Sequence, residues 1–221
     1  MVEDYLSDRE QEEALRSWWR ENWRWIIGGV VLGFGLLGGW TYWGQHRDQQ
    51  AAGAAKLYQD FSGALRANDA DKAKGLLDNL ASDHTGSPYT QQARLMLAKN
   101  HVEAGRYDEA VALLRTVTQE SKDPELAQLA QLRTARLLIQ QGKHDEALAL
   151  LDVESAGAYA AQTREIRGDA MMAKGDPEAA RAEYAAALAA DADPQVDRSM
   201  LELKLQDAGG TPPEASKQEP K

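Results

Sequence analysis

The sequence predicts an all-α protein: a single N-terminal transmembrane helix followed by a domain of repeated helix pairs. Three observations predict it. Residues 25–43, WIIGGVVLGFGLLGGWTYW, form a nineteen-residue run without a charge. All six tryptophans lie between positions 18 and 43, so their clustering has one cause. After the run, a ten-residue pattern returns four times: NDADKAKGLL at 68–77, GRYDEAVALL at 105–114, GKHDEALALL at 142–151 and GDPEAARAEY at 175–184.

At 1.5 Å per residue the uncharged run makes a helix about 28 Å long, close to the ~30 Å hydrocarbon core of a bilayer. A helix apolar on every face for five turns is rare in the core of a soluble domain. Trp18, Trp19, Trp23 and Trp25 before it, and Trp40, Tyr42 and Trp43 at its end, form two aromatic belts. An indole is apolar but keeps an N–H that needs a wet partner, which places it at the membrane interface. The run is too long for a signal-peptide core, polar residues 1–24 precede it, and the bulky Trp40-Thr41-Tyr42-Trp43 gives no cleavage site. It is an uncleaved anchor. Upstream stand Arg16, Arg20 and Arg24; the twenty positions downstream hold only Arg47 and Lys56. The bias places the N-terminus in the cytoplasm and the C-terminal domain on the exported side.

Four segments follow: a cytoplasmic amphipathic segment at 1–24, the span at 25–43, a repeat domain at 44–207 and a disordered tail at 208–221. Segment 1–24 opens on Ser7 and Glu10, spaced as a capping box. Leu15, Trp18 and Trp19 then recur at i, i+3 and i+4, giving a face that can lie on the membrane surface or receive a cytosolic partner. Within the span, Gly29 and Gly33, and again Gly35 and Gly39, sit four apart. Such pairs let helix backbones approach closely in lipid, where the hydrophobic effect gives no help. Glycine is also simply common in membrane helices, and both readings stand. Residues 44–67 are helix formers with no break after the span, so the helix continues into the repeat domain.

In the repeat domain each pattern reads as the turn between two amphipathic helices. Gly105, Gly142 and Gly175 supply a left-handed cap to the first helix. The acids that follow fall in the first turn of the second helix, where they suit its dipole. Ala73, Ala110, Ala147 and Ala180, five past the turn residue, are small enough for close packing. Residues 194–206 read as a capping helix offering Met200, Leu201, Leu203 and Leu205, and AGGTPPEASKQEPK at 208–221 is rich in Gly, Pro and charge, as disordered tails are.

The copies are spaced by 37, 37 and 33 residues. With the prolines Pro88, Pro124 and Pro194 between them, they resemble divergent tetratricopeptide repeats, an α-solenoid. The small residue midway along the first helix of that pattern falls on Ala98, Ala135 and Gly168. The usual aromatic in that helix is missing, and the late alanine is found only at Ala187. In such arrays the first helices line a concave groove. The resemblance implies a protein-binding groove formed by Leu95, Lys99 and Val102 in one repeat, Leu132, Arg136 and Ile139 in the next, and Met172 beyond. Each trio shares a helix face. The same residues can instead pack between neighbouring repeats, and that alternative stays open.

Chemistry is sparse. Net charge is −10, with −3 in residues 1–24 and −7 in 44–221, so no basic patch points to nucleic acid. No cysteine means no disulfide and no thiol catalysis. His46, His84, His101 and His144 are scattered without ligand spacing, and no nucleophile elbow or phosphate loop occurs. The expectation is a non-enzymatic protein with no cofactor, no metal and no small-molecule substrate.

Beyond the repeats, EQEEALRSWWRENW leading into a span that ends GWTYW, SPY at 87–89 followed by ARLMLAKNHVEAGRYDEA, and EIRGDAMMAKGD resemble the YfgM family of ancillary SecYEG translocon subunits, over roughly residues 1–206. The resemblance implies an inner-membrane protein, single-pass, with its repeats in the periplasm. There it would work beside SecYEG and the membrane-anchored chaperone PpiD on newly exported polypeptides. Two rival classes are an envelope scaffold joining folded partners and a negative regulator of a stress-response regulator, acting through residues 1–24.

Overall fold

The computed structural model describes residues 8–190 and 196–211. Nine α-helices and one 3-10 turn account for the ordered elements among them, with no strand. The chain divides into two compact units, Met1–Gly53 and Ala54–Lys221.

The first unit is helix throughout its described part. It belongs to α1, Asp8–Arg66, which runs without a break through the apolar stretch. One helix, Gln11–Arg66, is long and apolar enough to cross a membrane, and none of its most apolar window is buried by protein. Trp25, Phe34 and Trp40 are at least 73% exposed, the pattern of side chains that face an apolar phase outside the chain. The threonine hydroxyl in the span looks after itself: Thr41 Oγ1 donates back to the carbonyls of Leu37 and Gly38 at 3.0 and 2.9 Å. At the far end the Arg47 guanidinium lies 5.6 Å over the Trp43 ring, a cation held at the aromatic belt. The capping box predicted at Ser7 lies outside the described residues.

In the second unit, the last turns of α1 act as the first helix of the first repeat. Ala54, Phe61 and Ala64 are buried with Ala73, Leu77 and Leu80 of α2, Ala70–Asp83, and with Ala93 of α3, Pro88–Glu103. Tyr58 packs beside Tyr89 at 5.7 Å. The next pairs are α3 with α4, Tyr107–Glu120; α5, Pro124–Gln140, with α6, His144–Leu150; and α7, Ala160–Lys174, with α8, Pro177–Ala189. Helix α9, Arg198–Asp207, closes the stack.

The turn chemistry read from the sequence holds at every copy. Gly105, Gly142 and Gly175 sit at φ of 73°, 76° and 82°, and Asn68 takes the same left-handed place in the degenerate first copy at 55°. Asparagine is the residue other than glycine best suited to that basin. Ala73, Ala110, Ala147 and Ala180 are all fully buried, so the small side chain marks where paired helices cross most closely. Pro88, Pro124 and Pro177 each occupy the first turn of a helix behind a capping Ser87, Asp123 or Asp176. There the missing N–H costs nothing and the fixed φ is already helical.

Two expectations are corrected. The capping helix begins at Arg198 behind Asp197, whose carboxylate accepts from Met200 N–H, and Pro194 lies outside the described residues. Of its four offered side chains, Leu201 and Leu205 are buried while Met200 and Leu203 are half exposed, because residues four apart share the face turned to α8. The tail boundary also moves. Ala208 is buried, and Gly209 turns left-handed at φ 77° so that Gly209 and Gly210 N–H return to the carbonyls of Gln206 and Leu205. Residues 212–221 lie outside the described residues.

The third repeat departs from its neighbours. Helix α6 has seven residues where α4 has fourteen. Its last carbonyls are taken by side chains: Gln131 Nε2 donates to Leu150 O, and Arg167 Nη1 to Leu151 O at 2.9 Å. With only two turns between them, α5 and α7 meet directly, and Leu132, Ala135 and Leu138 form one core with Ile166 of α7.

Candidate functional site

Helices α3 and α5 are the first helices of consecutive repeats, and a cleft opens between them over α4. Its floor is apolar: Leu95, Ala98 and Val102 from α3, Leu114 from α4 and Leu137 from α5. Three cations border it, Lys99 from one wall and Arg133 and Arg136 from the other. The cleft has a volume of about 300 Å³. No carboxylate lines it.

The cations are weakly engaged. Lys99 Nζ stands 3.7 Å from Glu103, one turn on along the same helix, with both side chains mostly exposed. Arg136 Nη2 stands 3.8 Å from Glu165. Arg133 is exposed and makes no ion pair or hydrogen bond among the described residues. Compare the firmly held arginines nearby: Arg94 reaches Glu120 at 2.6 Å and Arg167 reaches Glu183 at 2.7 Å, both partly buried.

Of the residues predicted for a groove, Leu95, Lys99, Val102 and Arg136 come together here. Leu132 and Ile139 do not. Leu132 is fully buried in the α5–α7 core and Ile139 packs against it, so the equivalent cleft one repeat on is filled. The cause is the short α6, which leaves α7 to occupy that space. Met172 lies elsewhere again, in a separate hollow with Asp169, Tyr184 and Lys204. Arg133 and Leu137 were missed. Arg133 lies three residues before Arg136, one turn up the same helix face, and that spacing was the available signal.

A larger cavity, about 610 Å³, lies in the second unit between the end of α1, α2, α3 and α4. Its lining mixes signs: Asp71, Asp78 and Glu109 against Lys74 and Arg106. His101 borders it with a buried Nδ1 that has no partner, and desolvation, then the Arg106 charge, push its protonation to lower pH. Nothing in that lining combines into acid–base or ligand geometry, and among the described residues no cluster of three metal-ligating side chains occurs.

The turns are tied to one another. Lys143 beside the third turn reaches Asp108 at 3.0 Å beside the second, and Lys174 beside the fourth reaches Asp145 at 2.5 Å beside the third. Both carboxyls are held below the usual aspartate range, first by the hydrogen bond from the lysine. At the other end of the stack, Lys204 of α9 bridges Glu165 and Asp169 of α7 at 2.6 and 2.8 Å, while Tyr184 Oη donates to Asp169 at 2.9 Å.

The geometry is that of a stacked repeat array with one open, cation-rimmed apolar cleft. Comparison with known proteins agrees on the repeats. Residues 16–210 match a family model described as a tetratricopeptide repeat-like domain. The chain is 30% identical over 204 residues to a protein of Escherichia coli (strain K12) named the ancillary SecYEG translocon subunit, covering 92% of this chain and 98% of that protein. It is 29% identical over 202 residues to the protein of the same name from Haemophilus influenzae, covering 91% and 98%. A third relative of that name, from Aggregatibacter actinomycetemcomitans, is 39% identical over 56 residues, 25% of this chain and 28% of that protein. No solved structure gives a significant match.

Proposed function

This chain belongs to the tetratricopeptide repeat-like family of ancillary SecYEG translocon subunits, and from that premise we propose that it serves as such a subunit in its own inner membrane. The observation that carries the reading is the extent of the similarity, which runs through both the apolar helix and the repeats. Anchor and array therefore go together.

In this reading α1 crosses the membrane once with Arg16, Arg20 and Arg24 on the cytoplasmic side, and the repeats stand in the periplasm. The faces of Gly29 and Gly33 and of Gly35 and Gly39 supply the contact with the translocon. A Cβ built at any of the four meets nothing within 4 Å, so the backbone there is bare for a partner helix. The repeats bind proteins without catalysis. They receive newly exported polypeptides and work with the periplasmic chaperone PpiD, as the family resemblance implies.

The test is site-specific photocrosslinking in the membrane from Gly33 and Leu36. Adducts to a translocon subunit are expected; recovery of self-adducts alone would sink the translocon role. Topology is checked in the same cells. The chain has no cysteine, so Glu12→Cys and Glu154→Cys each give one thiol. A membrane-impermeant maleimide should label the second and spare the first, and the reverse result would invert the proposed orientation.

A further inference from the structure

The geometry points to the occupant of the α3–α5 cleft: a polypeptide segment carrying an apolar side chain flanked by carboxylates. The inference deepens the reading that the repeats bind polypeptides and rests on it.

The first argument is charge. The part of the chain after the span carries a net −7, yet the cleft is bordered by Lys99, Arg133 and Arg136 and lined by no acid. Three cations converging on one small opening in an acidic domain set up a local positive field, which selects partners by sign. The cations are also available. Arg133 has no partner among the described residues, and the nearest carboxylates to Lys99 and Arg136 stand at 3.7 and 3.8 Å, beyond good hydrogen-bond distance. An incoming carboxylate would gain charge-assisted bonds without breaking strong ones.

The second argument is shape. About 300 Å³ over an apolar floor is at the small end of ligand pockets, which run from roughly 300 to 1,000 Å³. That space takes one or two apolar side chains. The cations stand at the rim, not on the floor, so the charged groups of the occupant belong beside the buried side chain and outside the cavity. A peptide alternating apolar and acidic residues has that form. A fatty acid, with one carboxylate, would leave two of the three cations without a counter-charge.

The experiment is fluorescence anisotropy with the full-length chain in detergent. The probe is a labelled peptide alternating aspartate and leucine, with an otherwise identical peptide alternating lysine and leucine as comparison. The acidic peptide should bind more tightly by about tenfold or more, and added salt should erode the difference. Arg133→Glu leaves Lys99 and Arg136 against one new acid and should cut the preference several-fold. Because Arg133 is exposed and unpaired, the variant should fold, and Lys99→Glu on the opposite wall provides an independent second perturbation. Equal binding of the two peptides, or affinities unmoved by both variants, overturns the proposal and leaves polypeptide binding standing. Displacement of the peptide by palmitate at lower concentration than by unlabelled peptide reassigns the cleft to fatty acids and overturns it too. Binding of neither peptide removes the polypeptide-binding reading itself.

Discussion

Gly168 and Tyr184 offer a sharp test of the packing between α7 and α8. A Cβ built on Gly168 would stand 2.3 Å from Tyr184 Cε1, 2.6 Å from Cδ1 and 2.9 Å from Cζ. Carbon atoms pack at about 3.5–4.0 Å, so the ring would have to retreat by more than ~1 Å. It has nowhere to go: Tyr184 is 2% exposed, and its hydroxyl is fixed to Asp169. Overpacking of this kind costs about 1–3 kcal/mol, and three close contacts place Gly168→Ala toward the upper end. Alanine returns about 1 kcal/mol through its better helix propensity. The net loss is about 2 kcal/mol, a fall in Tm of roughly 4–8 °C for a domain of this size. In a Tyr184→Ala background the clash disappears, and the same Gly168→Ala change should stabilise by up to about 1 kcal/mol. Thermal unfolding of all four proteins by circular dichroism gives the cycle. If Gly168→Ala raises Tm while Tyr184 is present, the close approach of α7 and α8 described above is wrong.

Two further outcomes follow from the corrected groove and the tied turns. Leu132→Ala should destabilise by about 2–5 kcal/mol in urea unfolding, the range for a fully buried leucine, whereas Lys99→Ala should leave stability within about 0.5 kcal/mol; a mild Leu132 variant would return that residue to the groove. The carboxyls of Asp108 and Asp145 are depressed in the folded chain, so the stabilisation they bring is present above the unfolded aspartate pKa and is lost as pH falls through the lower folded value. Carbon-detected NMR titration of Asp108 should show its midpoint rise in Lys143→Gln; an unchanged midpoint would mean the lysine is not its partner.

Most of the fold could be read in the sequence because its signals are local. A left-handed turn needs glycine or asparagine, a close crossing needs alanine, and a span needs nineteen apolar residues together, and each requirement sits within one short stretch. The cleft was half readable for the opposite reason. Leu95 and Leu132 hold equivalent places in consecutive repeats, but the fate of each depends on the helix opposite. Leu95 faces open space, while Leu132 meets Ile166 because α6 stops after two turns. The carbonyls at the end of α6 are taken by Gln131 and Arg167, from the helices on either side. No periodicity within α5 encodes that. Helix α5 is also apolar around much of its circumference, with Leu132, Leu137, Leu138 and Ile139 pointing several ways, so a shared face could not be told from a shared core.

The lysine–aspartate links between turns have a consequence for how the array comes apart. In a stack where each repeat touches only its neighbours, cooperativity passes across each junction separately. The second-to-third and third-to-fourth junctions carry a link. At the first, among the described residues, no ion pair joins Arg106 to α2, and the 610 Å³ cavity lies there instead. Opening fluctuations should therefore begin at α2, whose amides would exchange with solvent ahead of those in α5 and α7. The array would have a soft end toward its N-terminus and a firm one toward α9.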